Sequence, residues 1–272
     1  MPFLETQHHA LHYTTAGSKQ QPALLMLHGF LGSCQDFENL LPKLSKHFYC
    51  ILPDLPGHGQ TQTKPNSYTF STTAQSLLSL LNTQGSSRPH LLGYSMGGRI
   101  ALYMACHFPA QFANIILESA SPGLKTQQER QERVQRDETI AQKLETLPLS
   151  DFLDTWYQNK LFESLRNHPQ LYATMRSRRQ NNRPLELAQA LRGFSTGAQP
   201  PLWKALPHLN KPLLLIVGEK DFKFIKIARE IAAARQQNES HKTTVKCCPD
   251  CGHNVHLESP SWYTKTIAQI AT

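Results

Sequence analysis

Long apolar runs are absent from this 272-residue sequence. Its most apolar stretches, residues 212–217 and 100–106, are far shorter than the ~18–20 residues that cross a bilayer, so no membrane span is expected. The opening MPFLETQHHALHYTT has neither a basic n-region nor an apolar h-region, and no cleaved export signal is expected. Cysteine is sparse too. Six in the whole chain are too few for a disulfide scaffold and read as reduced thiols of a cytoplasmic protein. Internal repeats, low-complexity tracts, Lys/Arg blocks and RNA-binding aromatic motifs are all missing, which argues against nucleic acid as a partner. What remains is 39% hydrophobic and 18% charged, the balance of a globular chain with a sizeable core. The 28 Lys+Arg exceed the 20 Asp+Glu by eight, an excess that suits an acidic small-molecule ligand.

Short apolar strands alternate with amphipathic segments, which predicts an α/β protein with a mostly parallel sheet flanked by helices. Strands are expected at residues 24–27, 49–52, 91–94, 115–117, 213–217 and 243–247. Several are Leu/Ile/Val runs without polar alternation, as strands covered on both faces should be. Helices are expected at residues 37–44, 72–81, 97–107, 224–234 and 260–270. The alternation stops at residues 121–200, where no strand is evident and LETLPLSDFLDTWYQ and PLELAQALRGF both show helical spacing. Residues 1–120 and 201–272 are therefore read as the core, and 121–200 as an inserted helical lid over the ligand-binding edge of the sheet. The alternative for the insertion is a plain packing subdomain.

The sharpest local signal is Gly93-Tyr94-Ser95-Met96-Gly97, a G-x-S-x-G between a strand and a helix. Such a turn exposes the Ser95 hydroxyl at a helix N-terminus, where negative charge is favoured. An acid and a histidine follow in the order this nucleophile elbow requires, each just past a strand. The acid is read as Asp221, with Glu219 and Asp250 as rivals, and the histidine as His253. His253 would deprotonate Ser95 while Asp221 holds its tautomer. His28-Gly29-Phe30 follows another strand, so the backbone N–H groups of Phe30 and Met96 are candidate oxyanion donors. Residues 54–59, DLPGHG, read as architecture. Cys247, Cys248, Cys251, His253 and His256 have zinc's ligand types. A structural zinc site, however, usually takes two pairs set a dozen or more residues apart. Buried thiols beside a catalytic histidine, a structural His256 and no metal are expected instead.

With HGF, DLPGHG, the elbow, GEKD and the final GH in order, the sequence resembles the α/β-hydrolases over nearly its whole length. GYSMGGR, LESASPGL, ER-x-x-R at residues 132–136, D-x-W-Y-Q at 154–158, GEKDFKF and CGHNVHLESP narrow the likeness. They resemble 2-succinyl-6-hydroxy-2,4-cyclohexadiene-1-carboxylate (SHCHC) synthase of menaquinone biosynthesis. The resemblance implies a lyase that removes pyruvate from 2-succinyl-5-enolpyruvyl-6-hydroxy-3-cyclohexene-1-carboxylate, with no metal or coenzyme. It implies Ser95, Asp221 and His253 as the triad, with Arg99, Arg133, Trp156 and Tyr94 binding substrate. Arginines suit this polycarboxylate because a guanidinium grips a carboxylate with two hydrogen bonds. Arg176, Arg178, Arg179 and Arg183 crowd one lid stretch, and the sequence does not choose among them. A monomer is expected. The alternative is a serine hydrolase for another acidic metabolite.

Overall fold

The central strands lack polar alternation because both of their faces are covered. In β3 (Ala23–Leu27), Leu25 and Leu27 enter one apolar cluster, while Leu24 and Met26 enter the cluster on the opposite face. Successive side chains of a strand point to opposite sides, so a doubly covered strand is apolar at every position. The computed structural model describes residues 2–236 and 242–270, and every candidate site residue is among them. Residues 1, 237–241 and 271–272 of the expected core lie outside the described residues.

In chain order the remaining strands are β1 (Phe3–Glu5), β2 (His9–Ala16), β4 (Tyr49–Pro53), β5 (Gln62–Thr63), β6 (His90–Tyr94), β7 (Ile115–Glu118), β8 (Leu213–Gly218) and β9 (Thr243–Cys248). They form one sheet in the order β1-β2-β4-β3-β6-β7-β8-β9, with β5 paired to β2. From β4 to β9 every pairing is parallel, and only the β1–β2, β2–β4 and β2–β5 pairs are antiparallel. No pattern in the sequence marks β1, β2 or β5. β1 and β5 are too short to show a period, and β2 buries two histidines, His9 and His12, where apolar residues would have marked a strand.

The core helices are α1 (Leu41–Leu44), α2 (Phe70–Thr83), α3 (Met96–His107), α9 (Phe222–Arg235), α10 (Val255–Glu258) and α11 (Pro260–Ala268). The helix expected at residues 37–44 is split into a 3-10 turn, Cys34–Leu40, and α1. Pro42 has no N–H to donate to the preceding turn. Between β7 and β8 lie α4 (Gln127–Thr146), α5 (Leu149–Trp156), α6 (Glu163–Arg166), α7 (Pro169–Arg179) and α8 (Pro184–Gly193). Thr126 and Glu129 close a reciprocal capping box at the start of α4, and Pro148 divides the apparent run 144–158 into two helices. These helices share an apolar cluster of their own, including Ala141, Leu144, Phe152, Leu153 and Leu187, into which Leu31 of the core projects. No helix among the described residues is long and apolar enough to cross a membrane.

Candidate active site

Ser95 joins β6 to α3 with φ 49° and ψ −106°, a conformation that side-chain-bearing residues rarely adopt. Its neighbours are glycines because backbone crowds them. A Cβ on Gly93 would lie 2.4 Å from the Gly97 carbonyl oxygen, and one on Gly97 would lie 2.3 Å from that of Leu27. The Ser95 N–H donates to the Glu118 carbonyl at 2.9 Å, fastening the turn to the end of β7. Strain of this kind costs about 1–3 kcal/mol and persists where surrounding structure over-determines it.

β8 and β9 run parallel with Gly218 opposite Cys248, so the loops that follow them leave at the sheet edge where β6 also ends. One loop carries Asp221, which caps α9 by accepting the Phe224 N–H at 3.3 Å. The other carries His253. Its Nδ1 lies 2.7 Å from an Asp221 carboxylate oxygen, and its Nε2 lies 3.1 Å from Ser95 Oγ. A carboxylate facing Nδ1 places the ring proton there and leaves Nε2 to accept from the serine. Asp221 and His253 are both buried, and the rings of Tyr94 and Phe224 stand 5.4 Å and 4.7 Å from the imidazole. Of the rival acids, Asp250 is exposed beside Lys220 at 3.5 Å, and Glu219 accepts the Asp250 N–H at 3.0 Å.

Phe30 and Met96 line the same cavity as Ser95. The Met96 N–H sits in the first turn of α3, where no intrahelical acceptor exists. Gly29 lets the preceding loop come close: a Cβ there would lie 2.5 Å from the Tyr94 ring and 3.6 Å from Ser95 Cβ. His28 fixes that loop. Its Nε2 accepts the Leu55 N–H at 2.9 Å and its Nδ1 donates to the Gly29 carbonyl at 2.8 Å, so the ring is neutral. Asp54 anchors the DLPGHG loop by accepting from His12 Nδ1, Cys34 N and Gln60 N at 2.7, 2.7 and 2.8 Å. Burial pushes its carboxyl up, but these donors prevail and bring it down to about 2.

The triad opens into a cavity of about 1050 Å³ walled jointly by the core and by helices α4–α8. Arg99, Arg133, Trp156 and Tyr94 all line it. Arg99 donates to the Phe194 carbonyl and pairs with no carboxylate among the described residues. Burial, together with Arg133 nearby, lowers its guanidinium to about 9. Arg133 gives its Nε to both oxygens of Asp137 at 2.8 Å, and Asp137 also accepts from Ser195 at 2.6 Å. Trp156 completes an aromatic wall with Phe30 and Phe152, at 5.4 and 5.8 Å. The crowded arginines separate by partner. Arg176 pairs with Asp154, Arg178 with Glu38, and Arg183 donates to the Thr61 carbonyl. Arg179 alone of the four lines the cavity, and its buried guanidinium is engaged by Asp36 at 2.8 Å.

The cysteine–histidine stretch does not act as one cluster. His253 faces Asp221, and His256 Nδ1 lies 2.9 Å from buried Glu118. Cys248 and Cys251 are buried free thiols with sulfurs 3.4 Å apart, while Cys247 is exposed.

Residues 22–260 match the family model of the α/β-hydrolase fold. The chain is 34% identical over 256 residues to 2-succinyl-6-hydroxy-2,4-cyclohexadiene-1-carboxylate synthase of Salmonella arizonae, covering 93% of this chain and 95% of that one. It is 35% identical over 250 residues, 87% of its length, to Protein PHYLLO, chloroplastic, of Arabidopsis thaliana, of which it spans 14%. Among solved structures, MenH from S. aureus superposes with a TM-score of 0.89 at 31% identity, covering 97% of both chains.

Proposed function

The chain belongs to the α/β-hydrolase fold family and, within it, to the SHCHC synthases, and on that premise we propose that it eliminates pyruvate from 2-succinyl-5-enolpyruvyl-6-hydroxy-3-cyclohexene-1-carboxylate. The observation that carries this reading is a Ser–His–Asp relay facing a cavity lined by eight basic and two acidic residues, one of those acids being Asp221 itself. Such a field suits a polycarboxylate. A neutral ester has no use for it.

Ser95 acts here as a base. Its hydroxyl proton passes to His253 Nε2, and the serine oxygen takes the ring proton next to the succinyl ketone. Electrons from that C–H bond form the 2,3 double bond, the old 3,4 double bond moves to 4,5, and the C–O bond to enolpyruvate breaks. This leaves the 2,4-diene. The proton on His253 is then available to the departing enol oxygen, and enolpyruvate tautomerises to pyruvate. Charge that develops on the ketone oxygen falls to the N–H groups of Phe30 and Met96. Asp221 stabilises the imidazolium. Arg99, Arg133, Tyr94 and Trp156 hold the substrate so that its proton meets the serine oxygen. Helices α4–α8 serve as the lid. The reading sets the enzyme in the cytoplasm as a monomer acting on an acidic small molecule.

Pyruvate release from the precursor, followed by a coupled dehydrogenase, tests the proposal. Stoichiometric pyruvate, a slower single turnover with deuterium at the abstracted position and no covalent Ser95 adduct after rapid quenching are expected. An acyl adduct that forms and decays at the turnover rate, with no pyruvate, would replace the lyase by a serine hydrolase.

A further inference from the structure

The cavity holds more cationic charge than the residues assigned above account for. Arg136 lies on α4 three residues after Arg133, on the same side of the helix, and Lys223 lies in the first turn of α9. Both line the cavity, one from the inserted helices and the other from the core. Among the described residues neither has a carboxylate within ion-pairing distance. The Lys223 ammonium instead stands 5.4 Å above the Phe224 ring. Asp137 is already engaged with Arg133 and Ser195, and Asp221 with His253, while Glu163, the other acid lining the cavity, forms no ion pair with Arg136 or Lys223 among the described residues. Partial desolvation at the cavity wall and the neighbouring Arg133 push the Lys223 ammonium below its usual value, with Arg136 and Arg99 adding to the effect and Asp221 opposing it. Like charges gathered without counter-charge are held against their own repulsion, and an anion between them would relieve it.

We propose that Arg136 and Lys223 form a second carboxylate subsite, bridging α4 and α9, which takes the distal carboxylate of a ligand's succinyl chain. This rests on the proposed lyase reading for the identity of the ligand. The subsite is a specificity device. The distal carboxylate it binds takes no part in the bonds that change, so the subsite holds ground state and transition state alike. Because it draws on both walls, a ligand with this carboxylate also ties the inserted helices to the core.

Binding rather than turnover is the decisive test. Calorimetry compares 2-succinylbenzoate with 2-butyrylbenzoate, which has a methyl group in place of the distal carboxylate, on the wild-type protein and on Lys223→Met and Arg136→Met. Both residues are exposed enough for the fold to tolerate the change. Each substitution is expected to weaken 2-succinylbenzoate at least tenfold and 2-butyrylbenzoate less than twofold, and added salt should narrow the difference between the ligands. Equal effects on both ligands, or none on either, would overturn the subsite. If the wild-type protein releases no pyruvate from the precursor, the lyase reading fails, whereas the ligand difference still reports on the subsite. With the precursor, the same variants should raise KM at least tenfold and leave kcat within threefold, and an equal fall in kcat would contradict a role confined to binding.

Discussion

At the scale of single residues, the proposed relay should fail as one unit. Ser95 Oγ and Asp221 touch the two nitrogens of the same buried imidazole. Ser95→Ala, His253→Ala and Asp221→Asn should therefore each lower pyruvate formation by about 10³-fold or more while the circular dichroism spectrum is unchanged. Ser95→Ala activity within tenfold of wild type would remove the serine from the mechanism. Arg99 has a different task. It stands one turn along α3 from Ser95 with no carboxylate of its own among the described residues. Arg99→Ala should cost about 1.5–3 kcal/mol, roughly 10- to 150-fold in kcat/KM, on the acidic substrate, and far less on a short neutral ester. Equal losses on both would make it a packing residue.

Among the secondary-structure elements, a buried ion pair joins α7 to the 3-10 turn after β3. Arg179 and Asp36 are both buried, and their pairing crosses from the inserted helices to the core. Tyr157 on the same insertion lies 3.4 Å from the Arg179 Nε. Burial alone would push the Asp36 carboxyl up. The Arg179 guanidinium outweighs it and holds the group below the ordinary carboxylate value. A lowered carboxylate stabilises the fold fully above the unfolded value near ~4, and that contribution is lost as pH falls through the folded value. Arg179→Met leaves a buried carboxylate without its partner and should cost about 3–5 kcal/mol in urea unfolding at pH 7. Adding Asp36→Leu should restore much of that loss, since an apolar pair carries no desolvation penalty. If the single variant unfolds at the wild-type urea concentration, the pair is not what joins α7 to the core.

Over the whole molecule, the buried histidines should set the acid limit. Burial lowers His9 to about 4 and His58 to about 3, and it also lowers His28 and His90. Geometry agrees: the His28 Nε2 already accepts a backbone N–H, and His90 Nδ1 lies 3.0 Å from the Asn114 amide nitrogen. In the unfolded chain these rings take up protons near ~6.5, whereas in the fold they resist. The unfolded state thus binds more protons as pH falls below about 6.5, and each resisting ring removes up to about 1.4 kcal/mol of stability per pH unit. Urea midpoints should drop steadily from pH 6.5 to 4.5, before most carboxylates titrate. A flat profile over that range would show that these rings are protonated inside the fold.

The elbow, the placing of an acid and a histidine just past strands, and the six central strands were legible because each is a local pattern. An apolar run, a glycine pair forced by close backbone and a catalytic residue one step past a strand all lie within a few residues of one another. β2 was not legible, because its histidines are buried by partners that the sequence does not place beside them: Ser76 for His9 and Asp54 for His12. The same limit applied to the arginines. Composition led us to expect an acidic ligand, but RSRRQNNR could not say which guanidinium lines the cavity. That choice fell to carboxylates brought in by the fold, with Asp36 lying 143 residues from Arg179 along the chain. Local spacing determines backbone conformation through sterics and hydrogen bonds over a few residues. Which charges are neutralised and which stay free for a ligand depends on where distant segments return, and only the tertiary structure decides that.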